Sequence, residues 1–234
     1  VSVLVITPSR GRPARLCEML HATLSLAEGD VKVAVAVDED DLDGYTQARV
    51  AKGDDDHRVL WFSGPRQTLT GWTNEIALRY AGEYDYLASF GDDHLPRTQG
   101  WDRLLTEAIE GIGGTGIAYG DDTIMSERLP TAPVMSSDIV TALGWMCLPS
   151  CRHMCVDLCW KDLGLGAGCL AYVPSVTIEH LHWGVSKSPL DATYAQAEAR
   201  HQDDRDAYAV WRETQMDADV MTVRNLRERA RADV

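Results

Sequence analysis

The sequence predicts an α/β protein: a mostly parallel central sheet flanked by helices, with further helices toward the C-terminal end. Three observations predict it. Short β-branched runs alternate with segments of helical period, the order that builds a covered parallel sheet. The runs are apolar along their whole length, as in strands buried on both faces. Three of them end in polar loops, "TPSRGRP", "DEDD" and "GDDHLP". Parallel sheets bind ligands beyond the carboxyl ends of their strands, where these three loops would meet.

The elements follow in order. "VSVLVIT" (Val1 to Thr7) is a strand, and a helix runs from Pro13 to about Ala27. "VKVAVAV" (Val31 to Val37) is a second strand, followed by a short helix over Asp43 to Lys52. "HRVLWF" (His57 to Phe62) is a third. Gly71 to Ala81 is a helix with Trp72, Ile76 and Tyr80 on one face. "YDYLASF" is the fourth strand, and Trp101 to Ile109 a helix after the loop "GDDHLP". Beyond Gly111 the pattern loosens. "GIGGTGIAYGDD" is a glycine-rich turn and strand without the Lys-Ser/Thr ending of a phosphate loop. A short strand and helix come from "TAPVMSSDIVTALGWM", a helix from Ser150 to Leu163, and two short strands from "LAYVPSVTIEHLHW". The rest is amphipathic helix. One domain is expected over 1–234, with halves at 1–110 and 111–189 and helices over 190–234.

Composition narrows the function. The chain has 234 residues, 45% of them hydrophobic, which is enough for a sizeable core. Its net charge of -14 argues against a standing grip on a nucleic-acid backbone, which needs a basic stripe. A local basic site, or anions recruited through a metal, stay open. No apolar run is long enough to span a bilayer, so no membrane partner is expected. Cys147, Cys151, Cys155 and Cys159 stand four apart. On one helix they would spread over ~18 Å, too far for one metal. They read as small apolar residues on a core-facing stripe, and a reducing, cytoplasmic setting is expected.

The chemistry starts at "YDYLASFGDDHLP", where an apolar strand ends in Asp92 and Asp93. Paired carboxylates make a hard-oxygen site for a divalent cation. The alternative is that Asp92 caps the next helix and Asp93 is solvated. "TIEHLHWG" puts His180 and His182 on one face of a strand, and imidazole suits Mn²⁺ better than Mg²⁺. Asp157, in "RHMCVDLCW", is a carboxylate among apolar neighbours. Such surroundings raise its proton affinity, which suits a general base, unless it turns to the helix surface.

Together, "VITPSRGRPARL", "VAVDEDD" and "TNEIALRYAGEYDYLASFGDDHLPRTQGWDRLL" resemble a family 2 glycosyltransferase with the GT-A fold. The resemblance covers about Val1 to Trp183 and lies in the order and spacing of the motifs. It implies a nucleotide-sugar donor of the UDP- or GDP-sugar class, Mn²⁺ or Mg²⁺ as cofactor, and inverting transfer to an acceptor hydroxyl. Thr7, Pro8, Arg10 and Arg12 would frame the nucleotide, and Asp38 would contact its base. Arg66 and Asn74 would face the sugar or diphosphate. Asp92 and Asp93 would stand for the family's D-x-D motif, whose first Asp is replaced here by Phe90 or Gly91. His182, or else His180, would join Asp93 at the metal, and Asp157 would be the base. Lys187, in "GVSKSPLD", would reach the diphosphate on loop closure, or else be a solvated loop lysine. Trp145 would stack on the acceptor. That acceptor is open between a glycan, a protein, a small molecule and a modified nucleic-acid base. A nucleotidyltransferase and a non-catalytic nucleotide-sugar-binding module are the rival readings.

Overall fold

The computed structural model describes residues 1–51, 56–182 and 201–232. Strands β1 (Ser2–Pro8), β2 (Asp30–Asp38), β3 (Val59–Gly64) and β4 (Tyr86–Ser89) form a parallel block in the order β3-β2-β1-β4. Between them run α1 (Pro13–Leu26), α2 (Leu42–Ala51) and α3 (Leu69–Tyr80). Then come β5 (His94–Pro96), α4 (Trp101–Gly111), β6 (Ile117–Asp121), β7 (Val134–Ser136), α5 (Ser137–Leu143), α6 (Val156–Ala167) and β8 (Leu170–His180). Helices α7 (His201–Thr214) and α8 (Met216–Ala232) follow. Among the described residues the sheet has eight strands in the order β3-β2-β1-β4-β7-β6-β8-β5.

The all-apolar strands are explained by burial on both sides. Along β1, Leu4 and Ile6 join one core with Ile76 of α3, Trp160 of α6 and Val223 of α8. Val3 and Val5 point the other way, toward Leu20 of α1 and Leu105 of α4. The two-residue period of the strand thus feeds two cores from one sheet. All of these side chains are buried.

Three sequence expectations are corrected here. The "GDDHLP" loop contains a strand, β5, paired antiparallel to β8 with His94 opposite His180. It is an edge strand, where Pro96 is tolerated. Next, "LAYVPSVTIEH" is one strand, not two: opposite β6 its register jumps from Val173 to Thr177, a bulge that takes up Pro174. Third, the helix expected from Ser150 begins only at Val156. Its N-cap, Cys155, has φ +66°, and the amides of Arg152, His153 and Met154 are bound by a carboxylate instead of a helical ladder. The four-cysteine stripe therefore does not lie on one helix; of the four, only Cys159 falls within α6. All four are nonetheless buried in the apolar core beside α6.

Candidate active site

The carboxyl ends of β1, β2 and β4 open onto a cavity of about 470 Å³. The loop after β1 contributes Pro8, Ser9, Arg10 and Arg12. The ends of β2 and β3 contribute Asp38, Arg66 and Gln67, and the end of β4 contributes Gly91 to His94. The segment from Arg152 to Leu158 also lines it, as do Trp160, His180 and His182. The three loops singled out in the sequence do meet at one site.

The adjacent aspartates are held differently. Asp92 accepts a hydrogen bond from Ser9 Oγ at 2.6 Å and one from Arg12 Nη1 at 3.1 Å. Ser9 Oγ spends its proton on Asp92, so at 2.8 Å it accepts from the hydroxyl of Tyr45, which in turn accepts the Arg12 amide at 3.1 Å. This relay fixes the first loop against α2. Burial, and then the neighbouring Asp93, push the Asp92 carboxyl above its ordinary range, against the pull of Arg12. Asp93 turns instead toward two rings: His94 Nδ1 at 3.4 Å and His180 Nε2 at 3.6 Å.

Those rings are brought together by the β5–β8 pairing. His94 and His180 stack with centroids 4.1 Å apart and planes 26° from parallel. His94 is buried, its Nδ1 accepts the Gly91 amide at 3.0 Å, and its Nε2 has no hydrogen-bond partner among the described residues. Burial, then His180, lower the His94 pKa to about 3, so the ring is neutral. Gly91 is required by close approach: a Cβ there would lie 2.5 Å from Asp93 Oδ1 and 2.8 Å from His94 Nδ1. Ligand atoms from Asp93, His94 and His180 all lie within 4.8 Å of one another. His182 packs edge-on against His180, at 5.1 Å. His94 was not singled out from the sequence. The signal was the strand pairing that sets it opposite His180, and that pairing is not a local pattern.

Asp157 stands in the first turn of α6 and lines the cavity. Burial raises its carboxyl above the usual range, with the Leu158 amide at 2.9 Å and the nearby His180 pulling the other way.

Other sequence-predicted residues are placed as follows. Pro8, Arg10, Arg12, Arg66 and Asp38 line the cavity. Asp38 is buried, and both its oxygens are used, Oδ1 by the Gln67 amide and Trp72 Nε1, Oδ2 by Arg10. Thr7 does not frame the cavity, a correction: it is fully buried in β1, and the next residues, Pro8 and Ser9, form the wall. Asn74 is also corrected. Its carbonyl accepts the amides of Met146 (2.9 Å) and Cys147 (2.8 Å), and its amide donates to Cys147 O (2.7 Å). It ties α3 to that segment rather than facing a donor. Trp145 is buried edge-on against Trp211, away from the cavity. Lys187 lies outside the described residues.

No protein-family model matches the sequence, and comparison with curated proteins finds no match. Solved structures do match. The mannosyltransferase PcManGT of Pyrobaculum calidifontis, in complex with GDP-Man and Mn²⁺, superposes with a TM-score of 0.67 at 14% identity. The match covers 99% of this chain and 75% of that one. S. aureus TarS 1–349 in complex with UDP gives 0.57 at 11% identity, over 76% of this chain and 60% of that one. A cytidylyltransferase from Leptospira borgpetersenii gives 0.52 at 16% identity, over 74% and 75%. This chain thus spans less than two thirds of the TarS fragment and three quarters of the other two. With its parallel block, its antiparallel β7 and an acidic pair at the end of β4, the chain has the GT-A glycosyltransferase fold.

Proposed function

We propose that the protein transfers a sugar from a nucleoside-diphosphate sugar, of the UDP or GDP class, to an acceptor hydroxyl with inversion at the sugar carbon. The observation that carries this reading is one cavity lined both by the Asp93, His94 and His180 cluster and by Asp157. The residues fit a divalent cation: Asp93, His94 and His180 would hold it, each bringing a ligand atom within 4.8 Å of the others. When bound, the cation supplies positive charge against the departing diphosphate. Arg66 and Arg10 bring cationic side chains to the β2–β3 side of the same cavity, where a nucleotide would lie. Asp157 would take the acceptor's proton. Its raised proton affinity fits a base that must bind that proton and release it again. Inverting transfer needs this base to deliver the nucleophile to the side of the sugar opposite the leaving group.

The neighbours crystallised with GDP-Man and with UDP support this donor class. The test is a melting-temperature screen of UDP- and GDP-sugars with Mn²⁺ and with EDTA, since ligands that bind only the folded state raise it. The reading expects a shift with at least one nucleotide sugar that EDTA removes, and release of the nucleoside diphosphate when acceptor is supplied. The cytidylyltransferase likeness favours a second reading, nucleotidyl transfer. Shifts with nucleoside triphosphates alone, and release of pyrophosphate, would decide for it.

A further inference from the structure

We infer that His153 touches the donor, its imidazole hydrogen-bonding the diphosphate of the bound nucleotide. The inference rests on the donor class proposed above. It adds a contact from the segment before α6, outside the loops at the strand ends.

The backbone argues for it first. The amides of Arg152, His153 and Met154 donate to the Asp204 carboxylate at 2.8, 2.9 and 2.7 Å. Asp204 is 1% exposed, and a buried carboxylate is costly unless its hydrogen bonds are met. Here three amides meet them, so the main chain is fixed at His153 and on both sides of it. A side chain carried on such a backbone is held ready for a ligand before the ligand arrives.

The side chain argues second. His153 lines the cavity and is only partly buried. Among the described residues its ring makes no hydrogen bond and no ion pair, and it packs in neither apolar core. Other polar groups of the cavity are engaged by the protein. Arg12 donates to Asp92, Trp72 to Asp38, and His94 accepts the Gly91 amide. A ring that fills no core and bonds no protein group has no structural reason for a pinned backbone.

Electrostatics place the ring on the donor side. Burial lowers its proton affinity, while Asp93 and Asp204 pull the other way and Arg12 opposes them. His153 therefore lies within charge reach of both Asp93 and Arg12, beside the proposed cation site, where a diphosphate would sit. A neutral imidazole offers one N–H donor there. Donated to a phosphate oxygen, that N–H makes a hydrogen bond of the stronger, charge-assisted kind.

The test is binding, not turnover. UDP and GDP are titrated calorimetrically, with Mn²⁺ present, into the parent protein and into His153→Ala, His153→Gln and His153→Asn. For a nucleotide that the parent binds, His153→Ala should bind at least ~10-fold more weakly, the scale of one hydrogen bond to a charged group. The side-chain amides of Gln and Asn stand in for N–H at Nε2 and Nδ1, so one of these two variants should recover most of the affinity. Melting temperatures without ligand should match the parent's, because the ring bonds nothing in the protein. A marked fall in His153→Ala would mean that the ring serves the fold, and would overturn the inference. Parent-like affinity in His153→Ala would overturn it too, and leave the donor reading standing. Gln and Asn variants both as weak as Ala would show that no hydrogen bond is made. A parent that binds neither UDP nor GDP would remove the donor class, and this contact with it.

Discussion

Asp204, near the start of α7, accepts the amide of Arg152 on the cavity wall at 2.8 Å. The same buried carboxylate takes the amides of His153 (2.9 Å) and Met154 (2.7 Å). Three successive donors converge on one anion, which is what keeps this segment out of a helix and sets Cys155 in the left-handed region before Asp157. From the other side, Thr70 at the start of α3 donates to Cys151 O at 2.7 Å. This stretch of the cavity wall is thus held by α7 and by α3 together.

Asp204→Asn tests that clamp. Asn keeps the shape but turns one acceptor into a donor facing an amide. Hydrogen bonds to a charged group are worth ~1.5–3 kcal/mol each, so a loss of about 3 kcal/mol is expected in urea unfolding. Mn²⁺ affinity of the folded variant should not change, because the Asp204 carboxylate bonds the Arg152–Met154 amides and not Asp93, His94 or His180. A loss below ~1 kcal/mol would mean that the wall is held by something else.

Asn74→Ala separates a structural residue from a donor contact. Three hydrogen bonds to the backbone of Met146 and Cys147 are removed, and their amides are left facing a methyl group. A destabilisation of about 2–4 kcal/mol is expected. Nucleotide affinity, measured calorimetrically on folded protein, should match the parent. A fold-stable variant with weakened nucleotide binding would return Asn74 to the donor site.

These two residues show where the sequence is legible. The apolar runs marked β1 to β4, because burial on both faces leaves a local trace in every residue of the strand. The loops after β1, β2 and β4 could be brought to one edge from strand direction alone. His94 was passed over because its role comes from pairing with His180, 86 positions away, through a strand of three residues. Asn74 was misassigned for a related reason: its partners are main-chain groups, and no side-chain pattern announces them. The cysteines kept a strict four-residue spacing, yet a distant carboxylate, Asp204, holds the backbone between Cys151 and Cys155 out of a helix.

Arg12→Ala tests how the acidic pair is neutralised. Arg12 lies 3.1 Å from Asp92 and 3.7 Å from Asp93, and all three side chains are at most 8% exposed. Removing the cation leaves two buried carboxylates side by side, at a cost of about 3–5 kcal/mol. Mn²⁺ should restore part of that loss, because it supplies positive charge to the same pair. The measurement is the melting temperature of parent and variant, each with EDTA and with Mn²⁺. An equal Mn²⁺ response in both would show that Arg12 and the cation do not share the carboxylates.

Asp157→Asn is the sharpest test of the proposed chemistry, because stability and activity should move in opposite directions. Burial raises the Asp157 pKa, so the folded chain holds this proton more tightly than the unfolded one. Stability should therefore fall as pH rises from the ordinary Asp value, ~3.9, to the raised folded value, and the full cost is present at neutral pH. Asn carries no charge to desolvate, so the variant should be at least as stable as the parent at pH 7. Its advantage should vanish below pH ~4, where Asp157 is protonated in both states. Sugar transfer should drop by ~10²-fold or more, while donor and Mn²⁺ affinity stay near the parent's. In the parent, the acid limb of the rate profile should lie above the ordinary carboxylate range, since the base acts only when deprotonated. Melting temperature across pH, donor affinity and transfer rate, taken on one preparation, decide the matter. A variant that loses stability at pH 7 while keeping its turnover would make Asp157 a support for the cavity wall and move the base to another group.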